Sequence, residues 1–169
     1  RPKLAERAFV ISSFGKTTHT TGWKVGYCCA PKSMTAEFRK IHQFLVFTVP
    51  SPFQYALAEY TRDATTYENL PAFYQSKRDR LVKGLKTTRF VPFTCPGTFF
   101  LLADYSAISD LPEQDFSMWL TQQHGVTVIP LSAFYADVGH ESSNHHLVRF
   151  CFAKSDEMLD AAISKLSLV

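Results

Sequence analysis

The stretch from Ser12 to Gly26, SSFGKTTHTTGWKVG, gathers groups that do chemistry into one short segment. Lys16 follows a short apolar run, with Ser13 three residues before it and Thr17, Thr18, Thr20 and Thr21 close behind. Lys24 comes eight residues later, inside Gly22–Trp23–Lys24–Val25–Gly26. A turn lysine is ordinarily just solvated, and composition alone favours that reading. The company of this one changes it. Hydroxyls, backbone N–H groups and a second cation on one turn can cradle a phosphate. Glycines at 15, 22 and 26 let backbone approach a ligand closely. A lysine desolvated beside such a cation can attack a carbonyl and form a Schiff base. The segment is not a P-loop, because it lacks the GxxxxGK[ST] order.

Arg149 is the second cation in an unusual context, the middle of the apolar run LVRFCFA. A charge inside such a strand is costly unless it is met. It reads as an edge-strand arginine, as one paired with an acid such as Asp104, or as a planar fork aimed at a substrate carboxylate. The pattern leaves these open. His145 and His146 are adjacent, so on extended chain they point to opposite sides and read as loop residues, not a metal pair. His42 reads as a helix capping or packing residue. Ser132, Phe134 and Tyr135 read as pocket lining or as aromatic core.

Short elements must position these groups. Ala8–Ser12 and Val25–Ala30 are apolar runs without a polar face, expected as buried strands of a sheet covered on both sides. Ser33 offers an N-cap to a helix bearing Met34, Phe38, Ile41 and Leu45 and ending near Phe47. Pro50–Ser51–Pro52 breaks it, and a second helix is expected from Phe53. A longer helix is expected from about Asn69 to Lys86, with Leu70, Phe73, Leu81 and Leu85 on its apolar face. Phe90–Phe93 and Thr98–Ala103 read as strands around a Cys95–Pro96–Gly97 turn. Asp110 with Glu113 resembles a capping box for a helix that Gly125 ends. Val126–Pro130 and Leu147–Ala153 read as strands, the polar segment Ser132–Asn144 as a loop, and Ser155 as the cap of a last helix. Alternating strands and helices predict an α/β fold.

Composition bounds the function. The 169 residues suit one domain or one and a half, and the net charge of +3 is unclustered, which argues against a nucleic-acid partner. No apolar run approaches a membrane span, and no signal peptide is expected. Cys28, Cys29, Cys95 and Cys151 lie in apolar contexts without CxxC spacing, so buried reduced thiols, no metal site and a cytoplasmic location are expected. The chain starts at Arg1 and runs at once into a strand, which predicts the C-terminal portion of a longer protein.

SSFGKTTHTTGWKVGY resembles the pyridoxal-phosphate lysine segment of class I/II (fold type I) aminotransferases, and most nearly the branch of methionine and kynurenine/glutamine aminotransferases. The family pattern, Ser, two residues, Lys, then Gly–x–Arg/Lys–x–Gly, is met by Ser13, Lys16, Gly22, Lys24 and Gly26. FVPFTCPGTFFLLADYS, FSMWLTQQHGVTVIPLSAFY and HLVRFCFAKSDEMLDAA continue the likeness in order towards the C-terminus.

The resemblance implies a function and a set of roles. Residues 1–69 would be the remainder of the large cofactor-binding domain, and 70–169 the small α/β C-terminal domain. The cofactor would be pyridoxal 5'-phosphate, held by Lys16, which would also move the substrate α-proton. Ser13 and Lys24 would bind the cofactor phosphate, with lysine giving a point charge where most relatives carry an arginine fork. Arg149 would take the α-carboxylate of an amino acid or 2-oxo acid. Phe47 would reach a neighbouring subunit's pocket, implying a homodimer with shared active sites, and Phe134 and Tyr135 would lie near the substrate entrance. The family's partners of the cofactor ring precede the lysine by tens of residues, so this chain alone is expected to be inactive. The alternatives are a carbon–sulfur β-lyase of the same fold and a non-catalytic fragment.

Overall fold

A computed structural model describes residues 2–136 and 144–169. The chain divides into two compact units, residues 1–70 and 71–169. The α/β character expected from sequence is observed.

The first unit opens with α1 (Pro2–Ala5), β1 (Val10–Ser13), α2 (Phe14–Thr17), a 3-10 turn (Thr21–Trp23) and β2 (Gly26–Cys29). Three helices follow: α3 (Lys32–Leu45), α4 (Ser51–Tyr60) and α5 (Thr65–Glu68). β1 and β2 form a two-stranded antiparallel ribbon, with Ile11 opposite Cys28 and Ser13 opposite Gly26. This corrects the expectation of a covered sheet, since Ile11 is 78% exposed and Val10 is exposed beside it. Their unbroken apolar pattern marks strands suited to cover on both faces, and the described residues of this unit leave both open. α3 starts at Lys32, not at a Ser33 cap: Pro31, at φ −54°, makes the corner, and the Thr35 N–H closes back on its carbonyl. The apolar stripe of α3 is also open, with Phe38, Ile41 and Leu45 exposed.

The second unit carries all but the first residue of α6 (Leu70–Leu85), then β3 (Val91–Pro92), β4 (Phe100–Asp104), α7 (Glu113–His124), β5 (Ile129–Pro130), β6 (Leu147–Cys151) and α8 (Asp156–Leu166). The sheet order is β3-β4-β6-β5, every pair antiparallel. Alternation along the strands decides which side chains enter the core. Leu101 and Ala103 of β4, with Val148 and Phe150 of β6, turn inward. They join Leu81 and Leu85 of α6, Phe116 and Leu120 of α7, and Leu159 and Leu166 of α8 in one cluster. Burying each large apolar side chain is worth about 1.5–3 kcal/mol. Tyr105 and Phe116 stack at 3.8 Å with their planes 2° apart. The opposite strand parity puts Phe100 and Leu102 of β4 and Leu147, Arg149 and Cys151 of β6 on the other, half-covered face.

Two helix ends follow the sequence reading. Gly125 ends α7 at φ 62°, a left-handed position that suits glycine, and Ser155 caps α8 by accepting the Met158 N–H. Two features do not. Asp110 caps nothing: Pro112 turns the chain, and Glu113 is the first residue of α7 with its side chain facing inward. The segment Ser132–Asn144 is not wholly a loop, since Leu131–Phe134 is a 3-10 turn; positions 137–143 lie outside the described residues. The thiols are free, but Cys29 and Cys151 are exposed and Cys28 and Cys95 half-buried, correcting the expectation of buried cysteines.

Candidate active site

Lys16 stands on α2, a single turn fixed from both ends. Ser13 caps it: its Oγ accepts the Gly15 N–H at 3.0 Å. The hydroxyl proton of Ser13 has no acceptor among the described residues, so the group keeps a donor for an anion. Behind Lys16, buried Thr18 donates from Oγ1 to the Phe14 carbonyl at 2.9 Å and lies 2.8 Å from the Thr20 hydroxyl. The Phe14 N–H bonds to the Val25 carbonyl, tying the turn to the approach to β2. Lys16 itself is exposed.

Lys24 closes the 3-10 turn Thr21–Trp23 in a left-handed conformation, φ 56°. A lysine backbone there is strained, and two neighbours hold it. Trp23 stacks on Phe53 of α4 at 4.6 Å, and Val25 is buried. Gly26 then lets β2 approach β1: a Cβ there would lie 2.6 Å from the Ser12 carbonyl oxygen. A hydroxyl proton without an acceptor among the described residues and two exposed ammonium groups on one pinned segment are a donor set that suits a phosphorylated aldehyde.

Phe47 also has left-handed backbone, φ 68°, and its N–H returns to the His42 carbonyl past the end of α3. Glycine is the usual residue at such a position. Here a phenylalanine, 78% exposed, is held there.

Arg149 lies on β6, which has β4 on one side and β5 on the other, so it is not an edge-strand arginine. Nor is it paired with Asp104, whose Oδ1 accepts the Ser106 N–H and whose register partner is Leu147. Among the described residues no carboxylate pairs with Arg149. Its guanidinium instead lies 4.6 Å from the Phe100 ring and 5.0 Å from the Phe134 ring. Ring faces stabilise the cation through its plane and leave the N–H edge available for a planar anion. Tyr135 is exposed, its ring 5.3 Å from that of His145. The His146 ring meets Tyr105 instead, so the two histidines do diverge. Burial, and next the Glu113 carboxylate, push the Tyr105 phenol up, so it stays a donor, to the Leu111 carbonyl at 2.7 Å.

Two parts of this arrangement escape sequence reasoning. Phe100 meets Arg149 because of the β4–β6 register, which no local pattern encodes. Glu113 accepts backbone N–H groups from Ser132, His145 and Leu147. A signal for it exists: Glu113 is in phase with Phe116, Ser117 and Leu120 on the buried face of α7.

The family model for aminotransferase class I and II matches residues 1–166. The chain belongs to the class I and II aminotransferases. Within that family, it is 52% identical over 166 residues to a methionine aminotransferase of Escherichia coli, covering 98% of this chain and 42% of that protein. It is 35% identical to a kynurenine–oxoglutarate transaminase of Dictyostelium discoideum, again over 98% of this chain and 42% of the relative. Among solved aminotransferases, the E. coli methionine enzyme superposes with a TM-score of 0.92 at 51% identity, over 100% of this chain and 44% of that one. N-succinyldiaminopimelate aminotransferase of Mycobacterium tuberculosis superposes at 0.82 and 40% identity, over 97% and 42%. The chain thus spans about two fifths of the length of the aminotransferases it matches.

Proposed function

We propose that the full-length protein is a pyridoxal-phosphate-dependent aminotransferase. It moves the amino group of methionine, or of a glutamine-type or aromatic amino acid, to a 2-oxo acid. The observation that carries the reading is the 52% identity, over nearly the whole chain, to a methionine aminotransferase. The residue geometry is consistent with it in kind: a pinned, exposed lysine with anion donors beside it, and an arginine without a carboxylate partner among the described residues.

The roles follow from chemistry. Pyridoxal phosphate, when bound, supplies the electron sink that weakens bonds at the substrate α-carbon. Lys16 would hold it through Nζ, and the same amine, once released by the incoming substrate amine, would move the α-proton. The Ser13 hydroxyl and the Lys24 ammonium hold the phosphate. The N–H edge of Arg149 takes the α-carboxylate and so orients the α-carbon. Phe47 reaches into the neighbouring subunit of a homodimer, and Tyr135 stands near the substrate entrance. Residues 1–69 belong to the large cofactor domain and 70–169 are the small domain. Among the described residues no helix is long and apolar enough to cross a membrane; free thiols suit a reducing, cytoplasmic setting.

The test is incubation of the full-length protein with methionine and a 2-oxo acid, and in parallel with a cysteine S-conjugate. A transaminase yields the amino acid corresponding to the acceptor. A β-lyase would instead release pyruvate and ammonia from a cysteine conjugate, and that outcome without transfer would overturn the reading.

A further inference from the structure

We propose that Glu113 is a positioning residue for the carboxylate grip of Arg149; this rests on the role given to Arg149 above. Glu113 is 1% exposed. A buried carboxylate is costly unless hydrogen bonds meet it. Here three backbone N–H groups do. Oε2 accepts from Ser132, and Oε1 accepts from His145 and Leu147, each at 3.1 Å. The N-terminal end of α7 adds a favourable dipole.

The three donors lie on two separate segments. Ser132 is on the 3-10 turn that ends in Phe134, and His145 and Leu147 are on the run into β6. Each segment is gripped two residues before a member of the stack: Ser132 before Phe134, and Leu147 before Arg149. On β6 that spacing puts Leu147 and Arg149 on one face. A single buried acid therefore holds the element bearing the ring against the strand bearing the guanidinium. The Ser117 hydroxyl donates to the main-chain carbonyl of Glu113 and leaves the carboxylate to these two segments.

Glutamine at 113 keeps the volume but must turn its NH2 towards one of the two segments, donor against donor. One segment is then released. Aspartate keeps the charge on a side chain one methylene shorter.

The experiment uses the full-length holoenzyme and reads kcat and KM for methionine with a 2-oxo acid, the inhibition constant of 4-(methylthio)butanoate, and the thermal midpoint. That inhibitor is methionine without its amine and reports the carboxylate grip. Glu113→Gln is expected to raise KM and the inhibition constant about tenfold with kcat within about threefold. Glu113→Asp should recover part of both. In an Arg149→Ala background, Glu113→Gln should change the inhibition constant less than about twofold, since it acts through Arg149. An unchanged inhibition constant in folded Glu113→Gln would overturn the proposal, as would a fall in kcat and thermal midpoint alone. If the glutamine variant does not fold, the aspartate variant decides on the same readout. If Arg149→Ala itself leaves the inhibition constant unchanged, the role of Arg149 fails, and the proposal with it.

Discussion

The guanidinium of Arg149 and the ring of Phe134 lie 5.0 Å apart, with Phe100 on the same guanidinium at 4.6 Å. Aromatic faces stabilise this cation. Among the described residues no carboxylate pairs with this guanidinium, so on their account its N–H edge is available to a planar anion.

Arg149→Lys keeps the charge and loses the fork. In the full-length protein it should raise KM for the amino acid by about tenfold or more and change kcat less. Phe134→Ala removes one face, a contact worth about 0.5–2 kcal/mol, so KM should rise a few-fold. Steady-state kinetics check both, and an unchanged KM in both variants would remove Arg149 from the carboxylate site.

Phe47 occupies left-handed backbone, which costs a non-glycine residue roughly 1–2 kcal/mol. Phe47→Gly should therefore leave the melting temperature unchanged or higher, while the proposed reach of the ring into a neighbouring subunit predicts a rise in KM. Calorimetry and kinetics on the same preparation test this. Full activity in the glycine variant would leave the strained phenylalanine without a role in the site.

Gly26 permits the close approach of β2 to the Ser12 carbonyl, where a Cβ would sit at 2.6 Å. Gly26→Ala should open the ribbon beside Ser13 and Lys24 and weaken retention of pyridoxal phosphate. Cofactor content after dialysis measures it, and retention equal to the parent protein would show that the ribbon register does not position the phosphate donors.

How much of this was legible in sequence depended on whether the cause was local. Lys16, Ser13 and Lys24 are set by a short run of turn residues, and the spacing displays them. Gly125 and Ser155 end and start helices through their own backbone or side chain, so both read correctly. Arg149 was visible as a misplaced charge, but its rings come from β4 and the 3-10 turn, brought in by register. Glu113 misled for a related reason: an acid near a helix start suggests a cap, and only the fold shows its oxygens meeting Ser132, His145 and Leu147. Ile11 and Phe38 carry a core pattern and are nonetheless exposed, because local periodicity records that a face is apolar and not what covers it.

Asp156 ties α8 to α6. Its Oδ1 lies 2.6 Å from Lys77 Nζ, and its Oδ2 lies 3.1 Å from an Arg80 nitrogen. The Lys77 hydrogen bond first, and then the positive charges of Arg80 and Lys77, hold this carboxyl below its ordinary value. The native state therefore binds the proton less readily than the unfolded chain. The stabilisation is fully present above the unfolded value of about 3.9 and is lost as pH falls through the lower native value. Asp156→Asn should melt below the parent protein near neutrality, with the gap closing in acid. A gap that persists or widens in acid would contradict the pairing.

The most direct test of the account is chemical trapping at Lys16. The full-length protein, loaded with pyridoxal phosphate, is reduced with borohydride, digested and mapped by mass spectrometry. A phosphopyridoxyl group is expected on Lys16 in the peptide containing SSFGKTTHTTGWK, and its loss in Lys16→Ala. A stable label on another lysine, or undiminished labelling and transamination in Lys16→Ala, would contradict it.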